Sequence, residues 1–128
     1  MSTYKGQLPE KAVIADKDIK VTVDGQPLPP DRAEVPTTGQ TFGWGTASTW
    51  SGRKLLSFSM LYYELHNCMG LPNSVVHSYL IDIADFFMED QIAKLEKQWT
   101  MTSEDIRQWI KAKYPKVWVE LMSHHTPA

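Results

Sequence analysis

The chain has one cysteine, almost no excess charge and no long apolar run, and each shortage excludes a class of protein. Because Cys68 stands alone among 128 residues, an intrachain disulfide is excluded and a reducing cytoplasm suits the chain. The 13 basic and 15 acidic side chains give a net charge of −2, so a general attraction to nucleic acid or to an anionic membrane is not built in. No apolar run is long enough to span a membrane, and no basic-then-apolar leader opens the chain. We therefore expect a cytoplasmic protein that does not enter a membrane.

Motifs for catalysis and for cofactors are also missing. Gly45 and Gly52 precede a helix start, but neither their spacing nor the residues after Gly52 match a nucleotide-binding P-loop. His66 and Cys68 are two positions apart, so on a helix they point to different sides and do not bind one metal ion together. We expect a protein that is not an enzyme, with no catalytic residues, no metal site and no cofactor.

The first third of the chain is predicted to form strands. Ile19 to Val23 alternates apolar and polar residues, and Asp24-Gly25 supplies the positive backbone angles of a tight hairpin turn. A return strand is predicted through Gln26 to Leu28. Thr3 to Lys5 and Ala12 to Ile14 are weaker strand candidates that would complete a small sheet.

From Ser51 onward the periodicity becomes helical. Apolar residues from Leu55 to Met69 recur at three- and four-residue steps, which predicts a helix that is capped by Ser51 and ends near Gly70. Leu56 and Met60 lie away from that apolar stripe. The first helix is therefore either enclosed by the sheet and the other helices or carries an interface.

Two further helices follow the first. A second helix is predicted from about Asn73, with apolar positions that continue through Trp99. A third begins at Thr102 or Ser103, where oxygen acceptors and negative charge meet free backbone amides, and it ends at Tyr114.

These elements predict an α+β fold in a single domain, with a small N-terminal antiparallel sheet packed against three main α-helices. Its β-rich front covers residues 1–45, its helical part covers residues 51–123, and residues 124–128 form a flexible tail. Val117 to Met122 forms a short last helix or a strand.

Three motifs carry a resemblance to a known group of proteins. They are Val21-Thr22-Val23-Asp24-Gly25-x-Pro27-Leu28-Pro29, Phe42-x-Trp44-Gly45 and Trp99-x-x-Thr102-x-x-Asp105-Ile106. Together they resemble an uncharacterised family of short proteins from bacteria, phages and plasmids, over the stretch from Val21 to Ile110. The family usually continues past Trp-Gly with a short Gly/Ser-Gly-Pro turn, whereas Thr46 to Trp50 follow here. The resemblance implies a mobile-element setting and assigns no activity.

An acidic row on the second helix is the first predicted partner-binding surface. Asp82, Asp85 and Glu89 fall on one side at helical spacing, and Asp90 lies near the edge of that side. A solvated helix face is the ordinary explanation for such a row. A row of negative charge can also occupy a surface that normally binds nucleic-acid phosphates.

Aromatic residues form the second predicted partner-binding surface. Trp44 and Trp50 belong to a glycine-punctuated loop before the first helix, and an exposed tryptophan is the kind of side chain that anchors protein interfaces.

Basic residues form two candidate contacts for anions or nucleic acid. Arg53 and Lys54 stand at the start of the first helix, where free backbone amides also attract anions. Arg107, Lys111 and Lys113 follow the capped start of the third helix, as in a helix that enters a DNA groove.

We expect a non-enzymatic protein-interaction module, encoded by a phage or another mobile element, that binds a host protein and modulates or inhibits it. A nucleic-acid-guided defence complex of the CRISPR type is the most specific target that we consider. Two alternatives stay open: a small DNA-binding regulator that uses the third helix, and a structural homodimer in which the first helix packs against its copy. The chain is accordingly expected to be a monomer or a homodimer, and nucleic acid is not the favoured partner.

Overall fold

A four-stranded sheet and four α-helices make up the part of the chain that the computed structural model describes, which is residues 2–8, 19–31, 42–45 and 48–124. The predicted α+β class is therefore confirmed. A π-helical turn (Tyr63–Cys68) follows the first helix, and a 3₁₀ turn (Ile92–Lys94) follows the second. The strands are β1 (Thr3–Gln7), β2 (Lys20–Val23), β3 (Gln26–Pro27) and β4 (Gln98–Thr102), and the helices are α1 (Trp50–Tyr62), α2 (Asn73–Asp90), α3 (Ser103–Lys113) and α4 (Pro115–Ser123).

The sheet is antiparallel, and its strand order is β3-β2-β1-β4. Strand alternation divides it into an apolar face that joins the core and a polar face on the opposite side. Tyr4, for example, lies opposite Val23 on one neighbouring strand and opposite Met101 on the other, and all three are buried.

The predicted hairpin is confirmed. Asp24 and Gly25 both have positive φ angles, 51° and 81°, which two-residue turns between twisted strands require. The return strand is shorter than predicted because it ends at Pro27, and Leu28 then enters the core. The weak candidate at Thr3 to Lys5 is part of β1, whereas the candidate at 12–14 lies outside the described residues.

Strand β4 corrects the predicted length of the second helix. The helix ends at Asp90, and Trp99 belongs to a strand that pairs with β1. Within β4 the buried Trp99 and Met101 alternate with polar neighbours, which is the period of a strand. The helical pattern seemed to continue because the apolar residues of the 3₁₀ turn and of β4 fall by chance at helical steps.

Helix α1 is enclosed by the rest of the chain. Leu56 and Met60, which lie off its main apolar stripe, are both fully buried. Of the two possibilities for this helix, the structure therefore shows enclosure rather than an interface, because the chain itself covers the second apolar side. Its N-cap is also Thr49 rather than Ser51, since Thr49 Oγ1 accepts a hydrogen bond from the backbone N–H of Gly52 at 3.1 Å.

The predicted start of α3 is confirmed by a capping box. Thr102 Oγ1 accepts from the backbone N–H of Asp105, and Asp105 Oδ2 accepts from the backbone N–H of Thr102. The helix ends at Lys113, with its C-cap at the predicted Tyr114, and α4 starts at once with Pro115 as its first residue. The last element is therefore a helix rather than a strand, and residues 125–128 of the predicted tail lie outside the described residues.

Gly6→Ala is expected to lower the free energy of unfolding by about 1–3 kcal/mol, because the added methyl group overpacks the core. Gly6 lies opposite Trp99, and a Cβ atom at position 6 would stand 2.1 Å from Trp99 Nε1. Urea denaturation of the variant measures the loss. Gln7→Ala, at an exposed position of the same strand, is the matched control, and an equal effect of both substitutions would contradict the packing argument.

A candidate interaction surface on helix α2

Asp82, Asp85 and Glu89 form a row of negative charge on the exposed side of α2, which we call the acidic stripe. The opposite side of the helix is buried and fixes its orientation, with Leu80, Ile83 and Phe87 at the centre of the core. All three acidic side chains are exposed, and in the part of the chain that the structure describes none of them forms an ion pair or a hydrogen bond. The structure thus brings these three predicted residues together as free charges.

An apolar side chain borders the acidic stripe. Ile81 is 59% exposed, and it lies one helical turn before Asp85 on the same face. Phe86, which is 43% exposed, lies on the side of α2 that faces α3 and packs against the rings of Trp109 and Tyr114. Ile81 is therefore the large apolar residue beside the stripe whose surface is free.

Asp90 does not belong to the stripe, which corrects its predicted role. Trp109 Nε1 donates a hydrogen bond to Asp90 Oδ2 at 2.7 Å, Gln91 Nε2 donates to the same oxygen at 3.1 Å, and Lys94 Nζ lies 3.5 Å from Oδ1. The hydrogen bond from Trp109 is the main cause that lowers the pKa of Asp90. Asp90 fastens the end of α2 to α3.

Trp44 and Trp50 have different environments. Trp44 is buried, its Nε1 donates to the carbonyl oxygen of Glu96 at 2.8 Å, and its ring meets Trp99 edge to face. The prediction that Trp44 contacts a partner is therefore wrong, because the residue is part of the core. Trp50 is 52% exposed at the start of α1, and Lys54 Nζ lies 4.8 Å above its ring.

Four of the five basic candidates have contacts within the chain. The Nη1 atom of Arg53 donates to the carbonyl oxygen of Ser48 at 2.6 Å, so this guanidinium binds the backbone just before its own helix. Lys54 lies over aromatic rings of α1, and Arg107 turns into the core. Lys111 is exposed, and Lys113 Nζ lies 5.9 Å from the ring of Phe86. The DNA-contacting row predicted on α3 thereby loses Arg107, the residue nearest its start.

Glu64 is the centre of a buried polar cluster that the sequence reasoning missed. The residue is fully buried in the π-helical turn, where its two carboxylate oxygens accept three side-chain hydrogen bonds. Tyr4 Oη donates at 2.9 Å, Ser103 Oγ at 2.6 Å and Arg107 Nε at 2.7 Å. Burial, and then the negative charge of Glu64, raise the pKa of the Tyr4 phenol far above its ordinary value, so this phenol stays a neutral donor.

A signal for this cluster was present in the sequence. Glu64 is a charged residue inside an apolar run, and Ser103 and Arg107 are four residues apart on α3, so they share one side of that helix. A carboxylate among apolar neighbours needs a cationic partner and additional donors, which Arg107 and Ser103 supply.

Cys68, His66 and His77 are in contact with neighbouring side chains. Ser2 Oγ lies 3.1 Å from Cys68 Sγ, and burial raises the pKa of the thiol, so the reactive thiolate is disfavoured. His66 and His77 both stack on the ring of Tyr62, with ring centroids 5.0 and 4.8 Å from its own. Among the described residues no group of three or more His, Cys, Asp and Glu side chains could hold a metal ion.

Comparison with known proteins identified no relative of this chain. The chain matches no known protein family, no curated protein and no solved structure. The resemblance to the phage and plasmid family therefore stays a prediction. None of the helices in the described ranges is long and apolar enough to cross a membrane.

Glu64→Gln is expected to lower the free energy of unfolding by about 2–3 kcal/mol, because it leaves the Arg107 guanidinium without its counter-charge. The Arg107 side chain is 25% exposed, so water moderates this loss. The measurement is urea denaturation at pH 7. Glu104→Gln, which removes a surface charge from α3, serves as the control. A loss no larger than that of the control would show that the ion pair is dispensable.

Asp90→Asn is expected to destabilise the protein at neutral pH and to have little effect in acid. Because the folded state lowers the pKa of Asp90 below its ordinary value of 3.8, the carboxylate contributes stability above that value. This contribution disappears as the pH falls through the lowered pKa. Thermal unfolding of both proteins between pH 7 and about pH 2 tests the sign, and a difference that persists at the acid end would contradict it.

Proposed function

We propose that this protein is a non-enzymatic interaction module that binds a basic surface of another protein through the acidic stripe of α2. The observation that carries the proposal is the row of three exposed carboxylates that have no partner among the described residues. A surface carboxylate that is paired with a lysine or an arginine must break that ion pair before it binds a partner. The three carboxylates of the stripe have no such ion pair with the described residues.

The position of the stripe supports this proposal. Like charges at helical spacing destabilise a helix by about 0.2–0.5 kcal/mol per pair, and a basic partner removes that repulsion when it binds. The buried side of α2 holds the carboxylates on a rigid element, so little order has to be created on binding. Ile81 supplies apolar surface beside the charges, and a mixed surface of this kind is typical of specific interfaces.

The two alternatives receive less support. A DNA-binding regulator would use α3, but Arg107 is held by Glu64, and the exposed Glu104 and Asp105 lie in the first turn of that helix. A homodimer through α1 needs an apolar face on that helix, whereas Leu56 and Met60 are covered by the chain itself.

In its most specific form, the proposal is that the stripe occupies the phosphate-binding surface of a nucleic-acid-guided defence complex of the CRISPR type in a bacterial cytoplasm. The mobile-element setting implied by the sequence resemblance supports this form. A basic groove built for a nucleic-acid backbone is the protein surface that a row of carboxylates complements best.

Charge reversal of the stripe with Asp82→Lys and Asp85→Lys is expected to reduce partner recovery at least about tenfold while the fold is retained. The assay is capture from nuclease-treated bacterial lysate, quantified by mass spectrometry. The tag belongs at the carboxyl end, because Ser2 is buried and its backbone N–H donates to Ser103 Oγ at 2.7 Å.

A control with Glu96→Lys and Glu104→Lys makes the same change in net charge away from the stripe. The proposal requires proteins that the wild type and the control both retain and that the stripe variant loses. Equal recovery by all three proteins would remove the stripe from the interface, and recovery that ends with nuclease treatment would favour the DNA-binding alternative.

A further inference from the structure

The polar face of the sheet, opposite the core, carries a cavity of about 590 Å³. Its lining includes two polar side chains from each of three strands. These are Lys5 and Gln7 from β1, Lys20 and Thr22 from β2, and Gln98 and Thr100 from β4. All six can form hydrogen bonds, and none of the described residues that line the cavity is acidic.

The strand register places the two lysines on a diagonal of neighbouring strands. Lys5 lies opposite Thr22, and Lys20 lies opposite Gln7. Diagonal neighbours on one face of a sheet are about 7–8 Å apart, within common reach of long side chains. Neither lysine forms an ion pair in the described part of the chain, and both are exposed. Two ammonium groups therefore face one cavity with no counter-charge supplied there by the described residues.

We propose that this cavity binds a phosphate-bearing ligand of about nucleotide size. A phosphate group carries up to two negative charges, so one group can accept hydrogen bonds from both lysines and relieve their repulsion. The threonine hydroxyls and glutamine amides on the remaining lining can bind the hydroxyl and carbonyl groups of a sugar or a base. The volume lies within the range of small-molecule sites, about 300–1,000 Å³.

This site is separate from the proposed interface on α2. The phosphate could belong to a free nucleotide or to the backbone of a single-stranded nucleic acid, because both present the same group to the two lysines. The lining contains no exposed aromatic ring on which bases would stack, which favours the free nucleotide.

Calorimetric titration at low salt with adenosine monophosphate and with a short oligothymidine tests the proposal. Lys5→Gln combined with Lys20→Gln is expected to weaken binding about tenfold or more, because two charge-assisted contacts are lost. Lys94→Gln combined with Lys116→Gln removes the same charge from exposed helical positions away from the cavity and is expected to leave the affinity within about twofold. Both lysine pairs are exposed, so circular dichroism should show all three proteins equally folded.

Each outcome of these titrations either supports or overturns the proposed phosphate site. If the wild type binds the monophosphate and the Lys5 and Lys20 variant does not, the cavity is a nucleotide site. If the wild type binds only the oligothymidine and the same variant loses that binding, the phosphate comes from the polymer. Equal losses in both double variants would reduce the effect to net charge and overturn the proposal. A loss confined to the helix variant, or no binding of either probe to the wild type at millimolar concentration, would also overturn it. The Asp82→Lys and Asp85→Lys protein should bind the probes at least as well as the wild type, so this result stands apart from that of the α2 interface.

Discussion

The buried carboxylate of Glu64 is the constraint on which the arrangement of the other elements depends. A fully buried carboxylate is tolerated only where strong donors replace its water. Here the donors come from two distant parts of the chain: Tyr4 from β1, and Ser103 and Arg107 from α3. The π-helical turn places Glu64 at their meeting point. Strand β1, the end of α1 and the start of α3 are therefore held together by one charged group, and a shift of any of them would leave that charge unsatisfied.

Local signals predicted the elements that local chemistry determines. Asp24-Gly25 specifies a tight turn, and Thr102 with Asp105 specifies a helix start, so the hairpin and α3 followed from a few neighbouring residues. Strand β4 and the Glu64 cluster depend on contacts between distant parts of the chain, which periodicity does not register. Trp44 shows the same limit, because an aromatic residue beside glycines suits an exposed loop and a buried one equally until its neighbour Trp99 is placed.

The structure shows which of the predicted charged residues have a partner among the described residues and which do not. Helical spacing was sufficient to group Asp82, Asp85 and Glu89, since α2 continues unbroken through all three. It could not separate Asp90 from them, because the indole that binds Asp90 comes from another helix. Of the basic candidates, Arg53 and Arg107 are used within the chain. In the part of the chain that the structure describes, the unpaired negative charge is therefore concentrated on α2, and the lysines of the sheet lie on a different surface.

The pairing of β1 with β4 has a consequence for how the chain acquires its structure during synthesis. β1 lies between β2 and β4, so one of its neighbours comes from the early part of the chain and the other follows α2. The β2–β3 hairpin and the α1–α2 pair can form while translation continues, but Gly6 acquires the indole of Trp99 only after β4 has left the ribosome. Until then one edge of β1 has unpaired backbone groups, and a strand edge of this kind is a template on which another chain can pair.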